Sequence, residues 1–242
     1  ALPICKHRRT ACLARRWNRR YVKRLKIHLN SLGCARNQID GEIMAGLLEK
    51  AGWTIVDDPS QAEVIVVNTC GFIEAATQES IDVILELATL KNEGNCRGLI
   101  VTGCVPERYK EKLAEQLPEV DFFLGTGAYD RIVEACADLA SFENRLFPPP
   151  GERPPDDPDL PRRTTLSYSA YLKIAEGCDR KCTYCIIPKL RGSHRSRPLE
   201  DIAKEGRKLV SAGAKELNLV AQDSSSWGYD LNPPAHPADL LT

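Results

Sequence analysis

The chain has 242 residues, 43% of them hydrophobic, with 33 basic and 33 acidic side chains. That is enough apolar material for one large or two smaller cored domains, and no run reaches the ~18–20 apolar residues of a membrane-spanning helix. The formal charge of zero hides an asymmetry: residues 1–26 carry ten Lys or Arg and no acid, so the remainder is net acidic.

From Leu25 the pattern is an alternation of strand and helix. LKIHLN (25–30) reads as a buried strand, and residues 37–52 place Ile39, Ile43, Leu47 and Leu48 at helical spacing before Gly52. AEVIVVNT (62–69) is a β-branched strand, followed by a helix at about 74–91 with Ile81, Ile84, Leu85 and Ala88 on one face. GLIVTG (98–103) and VDFFLG (120–125) read as strands, each followed by a helix, at 106–117 and 129–142. The expected class is α/β, an open, mostly parallel sheet with helices on its faces.

Seven prolines between Phe147 and Arg163 then rule out helix or central strand and mark an extended linker. Beyond it, strand (170–177), helix (198–213) and strand (215–223) follow, and HPADLLT looks like the opening of another helix. One βαβ unit cannot bury both faces of its sheet, so the second domain is expected to be truncated or completed by a partner. The divisions are a basic segment at 1–25, a first domain at 26–142, a linker at 143–168 and a second domain at 169–242.

Ten cysteines in a chain of this size, without a secretory pattern, indicate a reducing compartment and thiols or ligands rather than disulfides. Cys34, Cys70 and Cys104 each lie just past the end of a predicted strand, at the separation of one βα repeat. In an open parallel sheet those ends line one crevice, so the three thiols converge there; the plain alternative is three buried cysteines at strand ends. Cys178, Cys182 and Cys185 compress the arrangement into one loop, EGCDRKCTYCIIP. That spacing suits thiolates around one metal centre with a position left open. The alternatives are a zinc site completed by a histidine such as His194, or a redox dithiol. Cys136 reads as core, and Cys5, Cys12 and Cys96 receive no role.

The loop CDRKCTYC resembles the signature of the radical S-adenosylmethionine (SAM) enzymes. The resemblance implies a 4Fe–4S cluster on Cys178, Cys182 and Cys185, its open iron binding SAM and its reduction yielding a 5′-deoxyadenosyl radical, with Tyr184 near the adenine or packed beneath the loop. SLGCARN, NTCGFIEAA and VTGC resemble the first domain of the methylthiotransferases, which implies a second 4Fe–4S cluster on Cys34, Cys70 and Cys104. The resemblance begins near Lys26 and implies that residues 169–242 open a radical SAM (βα) partial barrel.

Within the family, NTCGFIEAATQESID (68–82), CIIP (185–188) and QDSSSWGYD (222–230) resemble the RimO-like branch. That branch modifies the β-carbon of an aspartate of small-subunit ribosomal protein twelve. Ala35-Arg36 stands where Pro-Lys is usual, Ser224 where Thr is, and Trp227 where Tyr is. The implied partners are that ribosomal protein or the ribosome, and an electron donor such as flavodoxin or ferredoxin; the implied setting is cytoplasmic, with no membrane. The rival readings are methylthiolation of a tRNA adenosine next to the anticodon, as in the MiaB-like branch, and a catalytically inert metal-binding fragment.

The basic run KLRGSHRSR (189–197) is expected to be mostly a solvated loop, with steering of an anionic partner as the alternative. Residues 1–25 lie outside the resemblance; their composition fits a transit peptide, a nucleic-acid arm or a misplaced gene start, the last preferred because a core strand follows at once.

Overall fold

The structure, a computed structural model, describes residues 25–137, 139, 145–165 and 168–241. Apart from Leu25, the basic segment 1–25 lies outside them, as do Cys5 and Cys12. Its first unit runs β1 (Lys26–Ser31), α1 (Ala35–Lys50), β2 (Thr54–Ile55), β3 (Val64–Thr69), α2 (Glu74–Ala88) and α3 (Leu90–Glu93). It continues through β4 (Gly98–Gly103), α4 (Cys104–Tyr109), α5 (Glu111–Gln116), β5 (Phe122–Leu124), α6 (Ile132–Ala137) and β6 (Arg145–Leu146). The strands form one wholly parallel sheet in the order β2-β1-β3-β4-β5-β6. Every residue of β3 and β4 is buried, as expected of central parallel strands covered on both faces.

The period-2 alternation divides each strand between two cores. Val64, Val66, Ile100 and Phe122 pack with Ile39, Ile43, Met44 and Leu48 of α1 and Ile132 of α6. Ile65, Val67, Leu99 and Phe123 pack with Ile84 and Leu87 of α2 and Leu113 of α5. On α2 the buried face is Ile84, Leu87 and Ala88, while Leu85, expected to face inward, is exposed. The single helix expected at 106–117 is two, because Lys110 takes a positive φ of 49° between α4 and α5. Val105 and Leu113, on either side of the break, both reach the second core. The edge strands β2 and β6 were not expected, each being two residues long and too short to show a periodicity.

The second unit comprises β7 (Ser169–Lys173), β8 (Ala175–Glu176), α7 (Ile187–Arg191), β9 (Arg195–Ser196), α8 (Leu199–Ser211) and β10 (Glu216–Val220). β7 and β10 pair in parallel, and β8 and β9 form a small antiparallel ribbon. Ala170 and Leu172 of β7 pack with Ile202 and Leu209 of α8 and with Trp227, which is fully buried and donates from Nε1 to the Arg197 carbonyl at 3.0 Å. The intervening Tyr171, and Val220 of β10, pack against the core that contains α1. The first unit thus covers the sheet face that the sequence left without a partner.

The joint between the units also contains buried charge. Lys173, 2% exposed, donates to Asp40 of α1 at 2.7 Å and to Asp156 of the proline-rich segment at 2.9 Å, and pairs with Glu176 at 3.1 Å. Asp156 also takes Arg153 at 2.6 Å and the Tyr129 hydroxyl. A second chain of pairs runs from Glu42 of α1 through Arg162 (2.7 Å) to Glu205 of α8 (2.8 Å) and on to Arg197 (2.6 Å). The proline-rich segment is therefore held between α1 and α8 by charge and is not a free tether. Burial alone would push the Asp156 carboxyl up, but Lys173 and Arg153 hold it well below the usual range. Glu176 is likewise held down, to about 2, chiefly by Lys173 and Arg191 against its own burial. Among the described residues no helix is long and apolar enough to cross a membrane.

Because folding depresses these two carboxyls, the stability they supply is complete above their unfolded values of 3.8 and 4.5 and drains as pH falls toward their folded ones. Asp156→Asn leaves Lys173 and Arg153 short of a buried counter-charge, with an expected loss of about 3–5 kcal/mol at neutral pH. Urea denaturation at a series of pH values should show that loss and a flatter decline for the variant between about pH 5 and about pH 2.

Candidate functional site

In a sheet of this order the strand sequence reverses between β1 and β3, and the crevice beyond their C-terminal ends is where such folds bind ligands. Cys34 and Cys70 stand at that point: Cys34 caps the N-terminus of α1, and Cys70 follows β3 directly. Cys104 opens α4 immediately after β4. The backbones of the three loops are tied together. Asn37 donates from Nδ2 to the carbonyls of Leu32 (2.6 Å) and Thr69 (3.2 Å), and Asn68 donates to the carbonyl of Asn37 (2.7 Å). The Thr69 hydroxyl donates to the Thr102 carbonyl (2.6 Å) and accepts from the N–H of Val105 (3.2 Å). The Cys70 N–H is held by the Ser80 hydroxyl of α2 at 3.1 Å.

Two glycines allow this approach. Gly33 has φ of +91°, and a Cβ on it would stand 2.5 Å from the Cys70 Cβ and 2.9 Å from its sulfur. Gly103 has φ of +96°, and a Cβ there would meet the Thr69 carbonyl oxygen at 2.6 Å. Burial pushes the Cys70 thiol up against a hydrogen bond from the Phe72 backbone, and the charges of Cys104 and Cys34 add to that push. Cys34 is exposed, Cys70 half-buried and Cys104 buried. Beside Cys34 a cavity of about 580 Å³ opens between Ser31, Gly33, Gln38, Glu42 and Thr165.

The second triplet sits in the loop after β8. Cys178 is buried and donates its N–H to the Gly192 carbonyl at 3.1 Å; Cys182 is exposed, and Cys185 is half-buried with its N–H on the Cys182 carbonyl at 3.2 Å. Arg180 fastens this loop to the end of β10 through Asp223 at 2.7 Å, and Asp179 accepts the His194 N–H at 3.0 Å. A cavity of about 500 Å³ lies alongside, lined by Asp179, Arg180, His194, Asp223, Tyr229 and Asp230. His194 Nε2 faces the Ser196 hydroxyl at 3.2 Å, and among the described residues His194 does not join the thiols in a group that could hold a single metal ion. Tyr184 is 89% exposed, so it does not pack beneath the loop.

Among the described residues no three His, Cys, Asp or Glu side chains close around a point that a single ion could occupy. A multi-iron cluster is several ångström across and takes each thiolate on a different iron, so it draws its ligands from further apart. Six thiols in two sets of three, tied by backbone and free of disulfides, fit that donor chemistry. Cys96 and Cys136 are buried away from both sets, and burial raises both thiols.

The basic run 189–197 departs from expectation. Arg191 and Arg197 are 3% and 2% exposed, and the run forms the contact between the two triplets. Arg191 donates from one terminal nitrogen to Asp40 (2.6 Å) and from the other to the side-chain Oδ1 of Asn37 (3.2 Å) and the Cys104 sulfur (3.6 Å). Its neighbour Gly192 accepts from the N–H of Cys178. One dipeptide therefore touches both cysteine sets. Asp40, its carboxylate partner, lies 151 residues away in sequence, which is why the contact could not be read from the run itself.

A family model described as uncharacterized protein family UPF0004 matches residues 26–125, and one described as the radical SAM superfamily matches residues 172–231. The curated protein named ribosomal protein uS12 methylthiotransferase RimO is 56% identical in Desulfosudis oleivorans over 90% of this chain and 50% of that protein. The same-named proteins of Anaeromyxobacter sp. strain K and Clostridioides difficile are 51% and 50% identical over 85% and 90% of this chain and 44% and 49% of theirs. Two solved structures of the radical SAM methyltransferase TsrM from Kitasatospora setae share the fold. One has tryptophan substrate and a SAM analogue bound, the other cobalamin and a [4Fe-4S] cluster. Their TM-scores are 0.59 and 0.57, at 14% and 15% identity, over 90% of this chain and about half of theirs. The chain belongs to the radical SAM methylthiotransferase family, in its RimO-like branch, and spans about half the length of the curated relatives it matches.

Proposed function

We propose that this chain carries the cluster-binding portions of an enzyme that puts a methylthio group on the β-carbon of an aspartate in ribosomal protein uS12. The observation that carries the reading is the pair of cysteine triplets, one at the ends of parallel strands and one in the loop after β8, linked through Arg191 and Gly192. It is supported by the name shared by the relatives above.

In this reading Cys34, Cys70 and Cys104 in residues 26–142 would hold one 4Fe–4S cluster, and Cys178, Cys182 and Cys185 in residues 169–242 a second, with Tyr184 beside the adenine of SAM. When bound, these groups supply the one-electron and sulfur chemistry that acid–base side chains lack. The chain's own residues position them. Gly192 and the Arg180–Asp223 pair hold the second loop, and Asn37, Asn68 and Thr69 hold the first. The exposed thiols, Cys34 and Cys182, leave one side of each set open to a ligand. The reading places the protein in the cytoplasm, with the ribosome or free uS12 as partner and a flavodoxin or ferredoxin as electron donor.

After anaerobic reconstitution, iron and acid-labile sulfide should each reach about eight per chain, falling to about four when Cys34, Cys70 and Cys104 are all replaced by Ala. Zinc in place of iron, with no labile sulfide in a folded sample, refutes the reading.

Gly33→Ala should act as a partial version of that triple replacement. Its new methyl displaces the Cys70 side chain, so the iron content should fall part of the way from about eight toward about four per chain while the circular dichroism of the fold is retained.

Mass spectrometry of uS12 after incubation with SAM, reductant and the reconstituted chain tests the substrate. One methylthio group on an aspartate supports the proposal. The same modification on tRNA nucleosides, with uS12 unchanged, assigns the chain to the other branch.

A further inference from the structure

We propose that Arg191, supplied by the second unit, is a positioning residue that sets the reduction potential of the cluster on Cys34, Cys70 and Cys104 in the first. The inference rests on the cluster assignment above and adds to it a residue outside both cysteine motifs. The guanidinium is 3% exposed and carries a full charge into the joint, close to one ligand of that triplet. Its two terminal nitrogens do different work. One is held by Asp40 at 2.6 Å with Glu176 at 3.6 Å, and the other points at the side-chain Oδ1 of Asn37 and the Cys104 sulfur, at 3.2 and 3.6 Å.

Asn37 fixes that direction, because its amide nitrogen is already committed to the carbonyls of Leu32 and Thr69 and only its oxygen faces the arginine. The carbonyl of Leu190, the preceding residue, accepts from the Thr126 hydroxyl at 2.5 Å, so the short helix α7 cannot swing away from the first unit without breaking a buried bond. A positive donor held against a ligand sulfur stabilises the more negative, reduced form of a cluster, and burial leaves the interaction poorly screened. The docking of the second unit therefore makes the first unit's cluster easier to reduce. Without it, Cys104 would face the joint with no cation at that distance.

The test isolates the first cluster by replacing Cys178, Cys182 and Cys185 with Ala in the full chain. It then measures the midpoint potential by EPR-monitored titration in three samples: this parent, the parent with Arg191→Lys, and the parent with Asp40→Asn plus Arg191→Met. The lysine keeps a charge on Asp40 but cannot fork to Cys104. The double replacement removes cation and counter-ion together, so no buried charge is stranded. The expected result is a downward shift in both, larger in the double variant, with iron content and the cluster signal equal to the parent. An unchanged midpoint in loaded, folded variants overturns the inference, and so does loss of iron in the lysine variant, which would make Arg191 a structural tie only. A parent that loads no cluster removes the assignment itself, and the inference with it.

Discussion

The structure depends on one buried ammonium. Lys173 closes β7 of the second unit with 2% of its surface exposed, where an unpaired charge would cost several kcal/mol. Its carboxylates come from three places: Asp40 on α1, Asp156 in the proline-rich segment and Glu176 just beyond its own strand. Glu176 travels with Lys173 in the second unit, so the placement of that unit on the first has to satisfy Asp40 and Asp156 together. The apolar contacts of Tyr171 and Val220 are less demanding, since a hydrophobic face can slide by a residue with modest loss. Hydrophobic burial drives the docking, and the charge selects its register.

That register places α7 against α4, the helix that opens at Cys104 directly after β4. Arg191 reaches Cys104 only because the strand carrying Lys173 is held against α1, and both cations share the carboxylate of Asp40, one oxygen each. Within the second unit the Gly192 carbonyl accepts from the N–H of Cys178. The two cysteine sets are thus related through a short path of packed groups in which Arg191, Cys104 and Cys178 are buried. A tether of prolines alone would leave their separation undefined, which is why it matters that Asp156 and Arg162 hold that segment to both units.

The parts legible in the sequence were those with local cause. VIVVNT is buried on both faces and its β-branched run announces it, and the repeat of strand, turn and cysteine placed Cys34, Cys70 and Cys104 at one edge of the sheet before any coordinates. What stayed hidden is set by partners far along the chain. The run KLRGSHRSR has the composition of a solvated loop, and nothing within it indicates that Asp40 and Glu205 will take Arg191 and Arg197 out of water. Of the two readings of Tyr184, packing beneath the loop fails, because its loop lifts the ring into solvent. β2 and β6 are recruited by neighbouring strands through backbone pairing, which leaves little mark on two residues.

Stability alone does not account for so much charge at the joint. A buried ion pair replaced by well-packed apolar residues is often neutral or more stable, whereas removing one member is costly. An apolar joint would also have covered the open face of β7 and β10. It could not have aimed a donor, because hydrophobic contacts carry no direction and hydrogen bonds do. At Arg191 the direction is fixed: one nitrogen is spent on holding position, and the other is left pointing at the Cys104 sulfur. The carboxylates of the joint are then better understood as the frame that orients two cations than as a source of binding energy. The frame is also nearly self-compensating, since Lys173, Arg191 and Arg153 face Asp40, Asp156 and Glu176. Of the cations in that balanced set, Arg191 is the one whose donor reaches Cys104.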